Sequence, residues 1–589
     1  MLLVLFLIGL CAYASNASQQ TKRPNVVVFI MDDIGMGDLG CFGNDTINTP
    51  NIDALAAGGA KLTQHIALPL CTPSRAALMT GRYPVRYGMA SRNIMRIVPF
   101  LSAKAGLPPN ETTYAEMLQE AGYATALVGK WHIGTYCDNT GCQDPIGQGF
   151  QYYYGVPLTN LRDCRGDSNV FIAWDEHIYR DIFITYIFLL WGSYSLKKRN
   201  IIGRPGFMIL FAISTILCGG FYAFIQGIKM MNCLILENRK VVEQPYTYDN
   251  LANRMTQRAV NFLEVNHDKP FMLTMSFLQA HTALFSSDKF TNRSKHGPYG
   301  DTVEEMDYSL GEVMATLKRL GIADNTFVYL TSDNGGHVEE ITEDDVREGG
   351  WNGIYKGSKG SSYEGGIRVP TVVSYPGIIP AGLEASEPTH IIDALPTIAD
   401  VVGIPLPEDR VIDGKSMMPL LTNTRTMSDH EFMYHYCGGY MHGVRYRPRE
   451  GSISYKIVYM SVRLIPGPHG VEGCFNTYAC QCYGSSTDYH NPPLVYDITN
   501  DPSESSPLDT HEPFVQDIIG KVGGALEVHK ASLSQVPYQF SLLRLLPRPW
   551  AQPCCGVFPF CSCREQSGAS SLQMGPTMEP PLSVSRQVR

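Results

Sequence analysis

The chain has 589 residues, 44% hydrophobic and 17% charged, with a formal net charge of −9. That is enough chain for a large core and more than one domain, and it excludes a disordered polymer. The acidic balance argues against nucleic acid as a partner, so an anionic substrate would have to meet local positive charge.

Residues 2–10 are an apolar run and 11–15 offer small residues for cleavage, so 1–18 read as a secretory signal peptide. Glycosylation sequons begin at Asn44, Asn110 and Asn292. There are sixteen cysteines, most of them clustered. Few histidines accompany them at zinc-ligand spacing, and in a secretory chain disulfides are the better reading. Their connectivity does not follow from spacing.

Asn25–Met31 (NVVVFIM) has the continuous apolar pattern of a strand buried on both faces of a parallel sheet. It ends in Asp32-Asp33, two carboxylates that are costly beside a core unless a cation or donors meet them. The design recurs three times. Residues 124–128 run into Gly129-Lys130-Trp131-His132, 271–278 into Gln279-Ala280-His281, and 327–331 into Ser332-Asp333-Asn334. Any one of these groups alone would be structural. Open α/β sheets build their sites at the carboxyl ends of strands, so the repetition places Asp32, Asp33, Lys130, His132, His281, Asp333 and Asn334 around one crevice. Helical patterns at 51–58, 113–121, 250–266 and 303–320 separate the strands, as an α/β domain requires.

Between the first two strands lies Cys71-Thr72-Pro73-Ser74-Arg75, with Thr80-Gly81-Arg82 following. Ser74 can cap a helix that starts just after it, turning free N–H groups toward an anion. Arg75 and Arg82 add fixed positive charge. The stretch reads as a sulfur nucleophile, or its derivative, at an anion-binding helix start; the alternative is a buried structural cysteine.

Residues 181–231 break the α/β pattern. Positions 207–228 carry no charge over 22 residues, roughly 33 Å as a helix and enough for a bilayer core. Positions 182–196 are a second uncharged run of 15, marginal for spanning. Lys197, Lys198, Arg199 and Arg204 lie between them, as on the cytosolic tip of a hairpin. Both feet would then be lumenal. Two buried core helices are the competing reading.

A glycine-rich stretch at 349–360 offers Lys356 and Lys359 as anion contacts. From about 422 onward, cysteines, aromatics and short strand-like runs indicate a smaller antiparallel subdomain. After Cys563 the composition is that of a disordered tail.

Cys-x-Pro-Ser-Arg followed by Thr-Gly-Arg resembles the sulfatase signature, and Gly129-Lys130-Trp131-His132 looks like the family's second signature. The inserted hairpin narrows the resemblance to the membrane-associated branch that hydrolyses steroid and aryl sulfates. Leu158–Cys164, His281-Thr282-Ala283-Leu284 and Val303-Glu304-Glu305-Met306-Asp307 look closest to its steroid-sulfate-hydrolysing members. The resemblance implies an alkaline-phosphatase-like α/β fold: a mixed sheet flanked by helices, an inserted transmembrane helical hairpin, and a smaller α+β C-terminal subdomain. The implied division is signal peptide 1–18, catalytic domain 19–180 and 232–421, hairpin 181–231, C-terminal subdomain 422–563 and tail 564–589. It implies that Cys71 is oxidised to formylglycine by the formylglycine-generating enzyme. It also implies that one Ca²⁺ is held by Asp32, Asp33, Asp333, Asn334 and modified Cys71, an oxygen-rich set suited to calcium. The related branch carries Gln where this chain has Asn334; an amide oxygen remains. Disulfides implied are Cys137–Cys142, Cys164–Cys233, Cys437–Cys482, Cys474–Cys480, Cys554–Cys561 and Cys555–Cys563.

The implied reaction is hydrolysis of a lipophilic sulfate ester at the endoplasmic reticulum membrane, with a lumenal catalytic domain and the hairpin in the bilayer. One hydroxyl of the formylglycine hydrate attacks sulfur, with Asp333 as a plausible base. His281 or Lys359 protonates the leaving oxygen, and His132 takes the second hydroxyl's proton. Arg75 and Lys130 hold the sulfate charge. Three alternatives compete: an arylsulfatase acting on other aryl sulfates, an inactive membrane-bound binding protein of the same fold, and a phosphatase. The last would use Ser or Thr in place of Cys71 and more histidine ligands.

Overall fold

The computed structural model describes residues 23–93, 95–165, 178–341, 346–467, 470–475 and 480–565. The expected signal peptide and nearly all of the expected tail lie outside them.

In chain order the catalytic body is built from β1 (Asn25–Met31), α1 (Pro50–Ala57), β2 (Ala60–Leu62), α2 (Cys71–Thr80), α3 (Tyr114–Glu120), β3 (Ala124–Gly129) and β4 (Tyr152–Gly155). A hairpin of α4 (Ile178–Lys198) and α5 (Arg204–Asn232) follows. Then come β5 (Ile235–Glu237), β6 (Lys240–Glu243), α6 (Leu251–Asn266), β7 (Phe271–Ser276), α7 (Gly297–Arg319), β8 (Thr326–Ser332), β9 (Thr371–Ser374) and β10 (Leu383–Ala385). The ten strands form one mixed sheet in the order β10-β2-β9-β8-β1-β7-β3-β4-β5-β6. The central five, β8-β1-β7-β3-β4, are parallel. Val26, Val27, Val28 and Phe29 are fully buried, as the apolar run of β1 requires of a strand covered on both faces. Each such side chain contributes about 1.5–3 kcal/mol relative to exposure.

Two helices of the catalytic body depart from the sequence expectation. The helix expected at 303–320 begins six residues earlier, at Gly297, with Pro298 in its first turn. The nucleophile helix α2 does not start after Ser74. Cys71 is its first residue and Leu70 its N-cap, and Ser74 Oγ accepts from Leu68 N (3.2 Å). Cys71 therefore sits inside the first turn, at the positive end of the helix.

The hairpin leaves the body between β4 and β5, and the Cys164–Cys233 disulfide ties its feet together. Helix α4 extends over 21 residues because it takes in Ile178–Asp181 ahead of the uncharged run and Lys197-Lys198 after it. Tyr186 OH pairs with Thr215 Oγ1 at 3.0 Å across the two helices. Phe188, Trp191, Ile216 and Leu217 are 63–71% exposed, which rules out the buried-core-helix reading. Among the described residues, α5 is the one helix long and apolar enough to cross a membrane.

The C-terminal unit is an antiparallel sheet in the order β11 (Phe432–Cys437), β12 (Tyr440–Tyr446), β13 (Tyr455–Val462) and β14 (Thr487–Asp497). Helix α8 (Pro513–Ala531) covers it, packing Val515, Ile518, Val522 and Leu526 against Val444, Ile457 and Val495. Buried Glu364 of the body accepts two 2.6 Å bonds from Arg445 of β12 and one of 3.0 Å from Lys456 of β13. Among the described residues six disulfides are present: Cys137–Cys142, Cys164–Cys233, Cys437–Cys482, Cys474–Cys480, Cys554–Cys561 and Cys555–Cys563. Glu565, assigned from sequence to the tail, is packed: it pairs with Arg254 and Arg258, each at 2.9 Å, and accepts from Tyr154 OH at 2.7 Å.

Candidate active site

The carboxyl ends of β3, β7, β1 and β8 are neighbours in the sheet, and their extensions converge. Backbone bonds continue past the strands, from Asp32 N to Gln279 O (3.0 Å), Ala280 N to Asp32 O (2.8 Å), Lys130 N to Ser276 O (2.8 Å) and Asp333 N to Met31 O (3.1 Å). Asp33 (φ 60°) and His132 (φ 63°) occupy left-handed backbone. For non-glycine residues this costs of order 1–3 kcal/mol and clusters at functional sites. Gly129 turns the chain at φ 114°, where a Cβ would stand 1.8 Å from Ser276 O.

Asp32, Asp33 and Asp333 offer carboxylate oxygens within 4.8 Å of one another, all three buried. Three cations face them. Lys130 Nζ is 2.6 Å from Asp32 Oδ2, Lys359 Nζ 2.6 Å from Asp33 Oδ2, and Arg75 Nε 2.7 Å from Asp333 Oδ2. Arg75 also donates to Ser276 Oγ (2.5 Å). Burial pushes the Asp32 carboxyl up to about 7; Asp333 and Asp33 add to the rise, and Lys130 and Arg75 oppose it. For Asp33 burial acts upward as well, but Lys359, His281 and His337 outweigh it and hold the carboxyl below its usual range.

The buried atoms Asp32 Oδ1 and Asn334 Oδ1 have no hydrogen-bond partner. Asn334 spends its Nδ2 on Asp33 Oδ1 (2.7 Å) and Gly335 O (2.9 Å), which leaves its carbonyl oxygen for something else. Asp32 Oδ1 has Arg75 NH2 at 3.6 Å as an ion-pair neighbour, and two oxygens without a hydrogen bond beside three crowded carboxylates fit a hard cation bound by oxygen.

Cys71 is 2% exposed, and its Sγ lies 3.3 Å from His132 Nδ1. His132 Nε2 is 3.2 Å from Val98 O, a carbonyl that can only accept. The hydrogen therefore sits on Nε2, and the lone pair of Nδ1 faces residue 71. Burial, reinforced by Lys130 and Arg75, keeps His132 neutral by pulling its pKa well below the ordinary value. Burial also pushes the Cys71 thiol up, so a thiolate nucleophile is disfavoured.

His281 donates from Nδ1 to Thr282 O (2.6 Å) and turns Nε2 toward Asp33 Oδ2 at 3.9 Å. Burial, with Lys359 adding to it, depresses its pKa well below the ordinary value. Lys359 is the opposite case. Burial acts downward on it, and Asp33, Cys71 and Asp32 raise it, so it stays charged. Both side chains converge on Asp33 Oδ2.

All the sequence-selected crevice residues come together. Lys356 does not: it is a surface side chain, with its Nζ 3.9 Å from Glu472 Oε2. Arg82 is also remote, paired with Glu111 at 2.6 Å. Asp333 Oδ2 accepts from Arg75 Nε at 2.7 Å, and His132 Nδ1 is the acceptor 3.3 Å from Cys71 Sγ. Sequence reasoning missed Ser276, which lies inside the apolar run 271–278, and Asn160, whose Nδ2 donates to His281 O (3.1 Å). Asn44 is half-buried, with Nδ2 donating to Gly37 O at 2.7 Å, while Asn110 and Asn292 are exposed.

The sulfatase family model matches residues 24–404, and a model of the C-terminal region of aryl-sulfatase matches 428–563. The chain is a member of the sulfatase family. It is 44% identical to human steryl-sulfatase over 549 residues, covering 91% of this chain and 93% of the relative. It is 41% identical to human arylsulfatase D, covering 95% and 96%. A sulfatase structure from Pseudoalteromonas sp. superposes with a TM-score of 0.66 at 24% identity, covering 87% of this chain and 91% of the other, and shares the fold. This sulfatase is an enzyme that hydrolyses sulfate esters, of the steryl-sulfatase or arylsulfatase kind. The family is generally formylglycine- and metal-dependent.

Proposed function

We propose that this sulfatase is a lumenal enzyme of the endoplasmic reticulum membrane that releases sulfate from lipophilic esters, steroid sulfates foremost, using formylglycine at position 71 and calcium. The observation that carries the reading is the neutral His132 Nδ1 aimed at residue 71 beside three buried carboxylates and three cations. Oxidation of Cys71 by the formylglycine-generating enzyme replaces sulfur with an aldehyde whose hydrate supplies oxygen nucleophiles. Calcium, held by Asp32, Asp33, Asp333, Asn334 and residue 71, would lower a hydroxyl pKa and polarise a sulfate oxygen.

The chain's own groups do the rest. His132 Nδ1 accepts a proton from the side chain of residue 71. Arg75 and Lys130, fixed by Asp333 and Asp32, balance the sulfate charge at the positive end of α2. As the S–O bond breaks, its electron pair goes to the leaving oxygen, which takes a proton from the His281–Lys359 pair. In the resting site Lys359 carries that proton.

The hairpin supports the choice of substrate. Its exposed apolar faces fit a bilayer, its basic tip at Lys197, Lys198 and Arg199 fits the cytosolic side, and a lipophilic alcohol would leave into lipid. Asn110 and Asn292 are exposed, as carbohydrate attachment on the lumenal side would require.

The test is sulfate release by the full chain in lipid vesicles, with a steroid sulfate and with 4-nitrophenyl sulfate. Turnover of both is expected, with kcat/KM higher for the steroid ester. Turnover of the aryl ester alone would overturn the steroid assignment and leave an arylsulfatase.

A further inference from the structure

His281 and Lys359 come from loops 78 residues apart in sequence, and the pair must present one proton to one leaving oxygen. What holds those loops is a short segment that the reaction itself does not use, His337-Val338-Glu339-Glu340. It follows Asp333-Asn334 after two glycines and is bonded to both loops.

Glu340 is 4% exposed. Its Oε1 accepts from Thr282 Oγ1 at 3.0 Å, and Thr282 is the residue after His281 and the acceptor of its Nδ1–H. Its Oε2 accepts from Arg162 NH2 at 2.7 Å. Glu339 faces the other loop. Its Oε2 accepts from Ser358 Oγ, and its Oε1 accepts from Cys474 N at 2.5 Å. Ser358 precedes Lys359, whose own N–H donates to Gly336 O at 3.2 Å. Between the carboxylates lies buried His337, with Nε2 3.6 Å from Glu339 Oε2 and Nδ1 3.3 Å from Glu340 Oε1. Two adjacent carboxylates buried by a core are expensive unless each is matched. Here each is matched to a hydroxyl next to a proton donor, and one imidazole lies between them.

We propose that Glu340 and Glu339 are paired positioning residues, Glu340 fixing His281 through Thr282 and Glu339 fixing Lys359 through Ser358. The inference rests on the reading of His281 and Lys359 as the leaving-group acids. Its physical basis is that a proton donor moved by about 1 Å loses much of its catalytic contribution, up to roughly 100-fold. The loss must grow as the leaving oxygen becomes more basic, because a poor leaving group depends more on being protonated.

The experiment is kcat/KM of the full-length enzyme for substituted phenyl sulfates whose phenols span a wide range of acidity. Variants are Glu340→Gln, Glu339→Gln, Thr282→Val and, as a control, Glu348→Gln, which removes a carboxylate 3.0 Å from Arg162 NH2. The first three should lose roughly tenfold or more on the least acidic phenol and under about threefold on the most acidic, steepening the leaving-group dependence. Glu348→Gln should leave the slope unchanged. An equal loss across the series, or none, would show a merely structural segment and overturn the inference. If Glu340→Gln does not accumulate, Thr282→Val, which deletes one hydroxyl, decides the point. His281→Ala and Lys359→Ala are the references. If they steepen the slope and the positioning variants do not, only this inference fails. If they do not steepen it, the acid assignment fails first and takes this inference with it.

Discussion

The strand-end crevice and the helical hairpin break the ordinary rule of burial in opposite directions. The crevice takes Asp32, Asp33, Asp333, Arg75, Lys130 and Lys359 almost wholly out of water. The hairpin leaves Phe188, Trp191, Ile216 and Leu217 mostly uncovered. Buried charge is costly without a partner, and large exposed apolar surface marks a contact. The two regions teach the same lesson: each is shaped for something outside the polypeptide, and the occupants we propose are a cation and a sulfate anion in one and lipid in the other.

The largest expected effect breaks the crevice side alone. Cys71→Ala should lower sulfate release by roughly 10⁴-fold or more while leaving the melting temperature and membrane association unchanged. Metal removal comes next. Chelation should abolish turnover and added calcium restore it, and Asn334→Ala should raise the calcium midpoint by at least about tenfold. An unchanged midpoint in calcium titrations would remove Asn334 from the ligand set.

A third prediction concerns Glu364, the buried carboxylate between body and C-terminal sheet. Burial acts upward on it, but Arg445, Lys456 and Arg368 hold its pKa below the ordinary 4.5. A depressed carboxyl stabilises the fold above its unfolded-state pKa, and that contribution fades as pH falls below about 4.5 toward the folded value. Glu364→Gln should cost about 3–5 kcal/mol near neutrality by leaving Arg445 and Lys456 short of charge. Melting curves of the variant should also fall less steeply than wild type below pH 4.5. Parallel acid slopes would contradict the assignment.

The last prediction concerns the hairpin. Phe188→Lys and Ile216→Lys should each weaken membrane retention by about 2.5–3.5 kcal/mol, measured as the fraction left in carbonate-washed membranes. Turnover of a soluble aryl sulfate should stay within about threefold. Retention that survives both changes would dissociate the hairpin from the bilayer.

Much of the crevice was legible in the sequence because strand-end placement is local. An apolar run that stops at Asp32-Asp33 or Asp333-Asn334 carries its own position in the sheet. What was not legible depends on pairing at a distance. Nothing near Ser276 announces that its hydroxyl takes Arg75, and Lys356 looks as good an anion contact as Lys359 until the loop's fold separates them. The start of α2 was misplaced because Ser74 is a good N-cap by type; its hydroxyl is spent instead on Leu68 N, which only the turned-back chain brings near. The length of α4 was underread because Arg180 and Asp181 interrupt the apolar run without interrupting the helix.

The central claim is that residue 71 acts through oxygen, not sulfur. Peptide mass spectrometry over residue 71, on full-length enzyme preparations of graded specific activity toward a steroid sulfate, tests it most directly. The account predicts that activity rises in proportion to the fraction carrying formylglycine and extrapolates to zero for the thiol form. Full activity in a preparation whose residue 71 remains cysteine would contradict it.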